Sequence, residues 1–153
     1  MQTMDGDLRL SGSVDATTAN IRVFTDAELK EIAIDQAFHV FENFNQNFLV
    51  STHLKGKVDA NVTASMVFKD NLDIYPETLT SDIGISIANG ELNNFEPMQR
   101  LSKYLDEHEL SALKFSELKN DIHIENKTIY LPEMEVHSNV SNIKIGGTHT
   151  FDQ

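Results

Sequence analysis

Apolar and polar residues alternate over long stretches of this chain. The longest run, KVDANVTASMVF, places Val58, Ala60, Val62, Ala64, Met66 and Phe68 at every second position, the pattern of a strand with one buried face. Ile83, Ile85 and Ile87 repeat it. Upstream, Leu8, Leu10 and Val14 mark a first strand, with Gly12 where a bulge or a close backbone approach is common. Ile21 and Val23 suggest a second strand and Leu29, Ile32 and Ile34 a third, although DAELKEIAI also suits a helix start. Downstream, Phe115 and Leu118 return the chain to β. A meander of short strands follows: Ile122/Ile124, Ile129/Leu131, Met134/Val136 and Ile143/Ile145, separated by turns at Asn126-Lys127, Pro132-Glu133 and Ser141-Asn142. Strands so short and evenly spaced form antiparallel sheets.

Two stretches break the period of two. Phe38, Phe41, Phe44 and Phe48 recur at three, three and four residues, which predicts a helix from about Asp35 to Asn47 with an aromatic face. Rings at this spacing anchor a helix to a sheet more often than they build a cofactor box. Asn89-Gly90 reads as a tight turn ending the isoleucine strand. Glu96 and Pro97 suit a helix's first turn, and Met98, Leu101 and Leu105 give its buried stripe. Asn71-Leu72-Asp73 reads as a turn, Tyr75-Pro76 closes an extended piece, and DEHELSALKFSEL adds a helical turn. The expected fold is α+β in one domain: a mostly antiparallel, twisted sheet of groove or meander type with two short packing helices. No fixed-period repeat is evident.

The 153 residues suffice for one core. With 24 acids against 12 basic residues, the net charge of −12 repels phosphate backbones, so nucleic acid is not expected as a partner. The same field opposes electrostatic docking on anionic leaflets but not an apolar groove for lipid tails. No apolar run is long enough to span a bilayer. MQTMDGDLRLSG lacks the basic and apolar regions of a signal peptide. Without cysteine, the chain has no disulfide, thiolate chemistry or cysteine-ligated zinc.

Candidate chemistry is thin. His123, His137 and His149 fall at polar strand positions expected to face solvent, and no HxH, HExxH or EF-hand loop occurs. There is no GxSxG elbow, GxGxxG or P-loop, and Gly146-Gly147 is an isolated pair. Asp106-Glu107 and Glu133/Glu135 read as solvated charge. No catalytic residue, cofactor or metal is therefore expected.

NGELNNFEPMQRLSKYL, followed by LKFSELKNDIHIENKTIYLPEMEVHSNVSNIKIGGTHTF, resembles the C-terminal region of AsmA-like proteins. FENFNQNFLVSTHLKGKVDANVTASMVF resembles the stretch just upstream in bacterial members, so the likeness spans about Phe38 to Phe151. It implies an envelope protein tethered to the inner membrane by an N-terminal helix and projecting into the periplasm. Long antiparallel sheets with an apolar groove, and the transport or organisation of phospholipids, are likewise implied. The missing anchor and the stop at THTFDQ suggest a fragment, whose open sheet edges would pair with neighbouring segments or form a homodimer.

The expected function is accordingly a non-enzymatic periplasmic domain for phospholipid transport or envelope maintenance. Ile83, Ile85, Ile87, Ile122, Ile124, Ile143 and Ile145 would wall a groove for acyl chains, or else pack beneath the two helices. Phe38, Phe41, Phe44, Phe48, Met98, Leu101 and Leu105 would anchor those helices. A structural or protein-interaction module without lipid is the alternative. A hydrolase or sugar-binding domain is a third reading.

Overall fold

The computed structural model describes residues 1–40, 42–45, 50–96, 103, 106–140 and 142–150. Eight strands form one antiparallel sheet: β1 (Gln2–Thr3), β2 (Gly6–Asp15), β3 (Ile21–Ala33), β4 (Leu54–Phe68), β5 (Thr80–Asn93), β6 (Ala112–Glu125), β7 (Thr128–His137) and β8 (Asn142–Thr150). Their order in the sheet is their order in the chain, and β1 and β8 remain as edges, so the sheet is an open meander. Helix α1 (Ile34–Val40) follows β3, and a single helical turn, α2 (Glu107–Ser111), precedes β6.

Period-two alternation accounts for the strands but not for their lengths. The expected second and third strands are one strand of 13 residues, β3, broken in register between Leu29 and Ile32. Glu31 takes a positive φ of 51° there and donates its N–H to Asp59 Oδ1 at 2.7 Å. This bulge turns the end of β3 into α1, where Ile34, Ala37 and Phe38 fall on one side and pack into the core. The expected Asp35–Asn47 helix is thus shorter: α1 ends at Val40, and Phe44 lies in a 3-10 turn, Glu42–Asn45. Phe41, Phe48, Met98, Leu101 and Leu105 lie outside the described residues. Of the two expected packing helices, the first is the two-turn α1, the stripe of the second lies outside the described residues, and α2 is the helical turn expected in DEHELSALKFSEL.

Two expected turns are bulges inside continuous strands. Asn89 does adopt φ 50°, but β5 runs on to Asn93, pairing with β4 at Leu54↔Leu92 and with β6 at Leu92↔Leu113. The Phe115 ring lies over Gly90, where any Cβ would overlap it. Pro132-Glu133 likewise sits within β7, at the register shift between Leu131 and Met134 opposite Gly146 and Gly147. By contrast, Asn126 and Lys127 (φ 50° and 58°) close a two-residue hairpin, and Leu72 (φ 70°) marks the expected turn. At α2, Asp106 caps the helix: its carboxylate accepts from the His108 N–H at 3.0 Å, and Glu109 completes a capping box.

The core is small and sits at one end of the sheet. Eleven apolar side chains are buried among the described residues, including Ile32, Val58, Ile87, Phe115 and Val136. Accessible surface totals 9994 Å², against about 7,800 Å² for a compact monomer of 17.2 kDa.

Candidate functional site: the apolar face of the sheet

Strand register converts the alternating residues into rows running across the sheet. The most buried row is Ile32↔Val58↔Ile87↔Leu118, in which Ile32, Val58 and Ile87 are 0, 5 and 3% exposed. Next comes Leu8↔Leu29↔Ala60↔Ile85↔Asn120, then Leu10↔Ala27↔Val62↔Ile83↔Ile122. Beyond these, Thr25, Ala64, Ser81, Ile124 and Ile129 align. Burial falls off along this series: Val62, Ile83, Ile122, Ile124 and Ile129 are only half-buried, while Leu10 and Val14 are 68 and 67% exposed. Ser81 is the buried polar exception, and its hydroxyl donates to the Thr63 carbonyl at 2.9 Å.

The candidate wall residues therefore divide. Ile87 is core. Ile85 is half-buried but packs against the core cluster, whereas Ile83 and Ile122, paired with each other, are outside it. Ile124 lies one row further out. Ile143 and Ile145 are on β8, at the buried end: Ile143 packs on Leu113 and Ile145 against the main cluster. Four isoleucines of β5 and β6, Ile83, Ile85, Ile122 and Ile124, thus share one surface, and the β8 pair belongs to another part of the face. Leu10, Ala27 and Val62 complete the Ile83 row. Their own strands alternate in sequence, but only register puts them beside Ile83.

The opposite face is charged. Arg9 and Lys30 lie 3.8 and 3.2 Å from Glu28, and Lys144 lies 3.6 Å from Glu133. His123 is not simply solvated as expected: Nδ1 is 2.7 Å from Asp82 Oδ1 and Nε2 is 3.3 Å from Glu125 Oε2. These bonds, Asp82's first, hold the imidazole above its ordinary pKa. His137 and His149 are exposed. Among the described residues, no group of three His, Asp or Glu side chains is placed to hold a metal, and no helix is long and apolar enough to cross a membrane.

No protein-family model, curated protein or solved structure matches the chain.

Proposed function

We propose that this chain is a non-enzymatic, AsmA-like periplasmic domain that holds phospholipid acyl chains against the open half of its apolar sheet face, in lipid transport or envelope maintenance. The observation that carries the reading is the partly exposed row Leu10, Ala27, Val62, Ile83 and Ile122, of which only Val62 packs against the core cluster. The rows from Ile87 to Ser81 extend over roughly 20 Å of strand, the length class of an extended long-chain acyl group. The surface in excess of a compact monomer, about 2,200 Å², is consistent with a face built to be covered. The net charge of −12 favours contact through tails rather than through anionic headgroups.

Native mass spectrometry of protein purified without detergent, paired with solvent extraction, tests this. Phospholipid in near-stoichiometric amount is the expected result; a lipid-free species that binds none from vesicles refutes it. The second reading, a scaffold without lipid cargo, is favoured by one observation: β8 pairs with β7 alone along its whole length. Its outer edge offers main-chain groups to another strand, from a neighbouring segment or a second copy.

A further inference from the structure

β1 is too short to cover β2. The two pair only at Thr3↔Gly6 and Gln2↔Asp7, and Met1 closes the ladder: its carbonyl accepts from the Leu8 N–H at 2.8 Å and its amino group donates to the Leu8 carbonyl at 3.0 Å. Successive residues of an antiparallel strand turn their N–H and C=O to opposite sides. Since Leu8 turns these groups away from β3, so do Leu10, Gly12 and Val14, while Arg9, Ser11, Ser13 and Asp15 turn theirs toward β3. Among the described residues, no strand lies beyond β2 from Leu10 to Val14. The side chains there are uncovered as well: Leu10 and Val14 are 68 and 67% exposed, and Ser11 and Ser13 are exposed between them.

This open edge reads RLSGSVD, from Arg9 to Asp15, and it is self-complementary about Gly12. On either side stand first a serine, then an apolar residue, then a charge, and the two charges are opposite. A second copy laid antiparallel about a two-fold axis through Gly12 brings Leu10 against Val14 and Arg9 against Asp15, each of them twice. In each copy Arg9 is already opposite Glu28 and Asp15 opposite Arg22. The row across the contact therefore runs Glu28, Arg9, then Asp15 and Arg22 of the second copy, alternating in sign. On the other face Ala27 and Leu10 meet Val14 and Val23 of the second copy. Moving the centre to Ser11 or Ser13 loses the charge pairs, and the first also needs the Leu8 edge that Met1 occupies. The ladder ends where β2 ends: the Asp15 carboxylate accepts from the Thr17 N–H at 3.0 Å and its hydroxyl at 2.7 Å, turning the chain before it would meet β1.

We propose that this chain pairs with a second copy of itself, β2 against β2 in the antiparallel register centred on Gly12, so that the two sheets become one with both apolar faces on the same side. Leu10, Gly12 and Val14 then find partners for their open main-chain groups. A net charge of −12 opposes association of copies in general, and the alternating row supplies local attraction at this edge. With a ladder of about 17 Å, the contact belongs to the small, reversible class. It does not rest on the lipid reading.

Sedimentation equilibrium of the chain at physiological salt, from micromolar to millimolar concentration, should show a reversible monomer–dimer equilibrium. Arg9→Asp and Asp15→Arg, both at exposed side chains, should each weaken it about tenfold, because each sets like charges against one another at two places. An equimolar mixture of the two variants should recover the original association, since every mixed contact is again opposite in sign. Register is read with thiols in a chain that has none of its own. Ser11→Cys mixed with Ser13→Cys should form a mixed disulfide about tenfold faster than either variant cross-links to itself, because only the mixed pair stands directly opposite. A chain that stays monomeric at millimolar concentration overturns the proposal and leaves the edge to a strand of another protein. A dimer indifferent to both charge changes overturns it in favour of the β8 edge. A mixture that does not recover, or faster self-cross-linking of either cysteine variant, overturns the register and with it the proposal.

Discussion

The open and the buried parts of the apolar face make opposite predictions for substitutions within one strand. Ile83 is half-buried and outside the core cluster; Ile87, four residues on in the same strand, is 3% exposed and within it. Fully burying an isoleucine contributes about 1.5–3 kcal/mol, so a half-buried one contributes about half of that. Ile83→Asp adds a modest penalty for placing a carboxylate on a partly wet apolar row, for a total of about 2 kcal/mol. Against a domain stability of roughly 5–15 kcal/mol the fold survives, with a melting temperature lowered by about 4–8 °C. Ile87→Ala, by contrast, opens a cavity in the core and costs about 2–5 kcal/mol. The charge in Ile83→Asp falls where acyl methylenes would lie, each worth about 0.8 kcal/mol when buried. Bound phospholipid should therefore drop severalfold in Ile83→Asp and hold near its original ratio in whatever fraction of Ile87→Ala remains folded. Thermal melts by circular dichroism and lipid extraction, run on the same preparations, read both effects. If Ile83→Asp unfolds as readily as Ile87→Ala, Ile83 is core and the open-face reasoning fails. If it stays folded and keeps its lipid, the lipid lies elsewhere.

Other consequences can be checked separately. Because Asp82 and Glu125 raise the folded-state pKa of His123 above 6.5, its pairing stabilises the protein fully below the unfolded value and is lost as pH rises through the raised one. His123→Gln should thus lower the melting temperature at mildly acidic pH and leave it unchanged in alkali; a difference independent of pH would refute the clamp. Gly90→Ala drives a Cβ into the Phe115 ring and should cost about 1–3 kcal/mol in urea unfolding, with much of the cost absent in a Phe115→Ala background. Additive effects of the two substitutions would contradict the contact. Lys127→Gly relieves a positive φ of 58° in the β6–β7 turn and should stabilise by about 0.5–1 kcal/mol in the same assay; destabilisation would argue against that turn.

How much of this was legible in the chain differs by feature. The alternating runs predicted the strands and the inward parity of each, because side-chain period is a property of the backbone alone. Asn126-Lys127, Asn71-Leu72-Asp73 and the helical turn near Glu107 were equally local. Asn89-Gly90 was not: the pair does carry a positive φ, but that conformation serves a turn or a bulge alike. What decides between them is that β4 and β6 flank β5 on both sides of the kink. Pro132-Glu133 is likewise a bulge and not a turn, because β7 stays paired with β8 on both sides of it. The seven candidate wall isoleucines divide because residues with the same local pattern meet different surroundings: the core cluster at Ile87, Leu113 beside Ile143, and partly exposed surface at Ile83.

The sequence by itself determined that this is an acidic, cysteine-free chain of antiparallel strands with one apolar and one polar face, since composition and period are carried residue by residue. Only the tertiary structure decided which rows of that apolar face are core and which stay open, and where β6 parts from β7. Both depend on register and on where the bulge at Glu31 sends α1, and these are settled by pairing between residues distant in the chain.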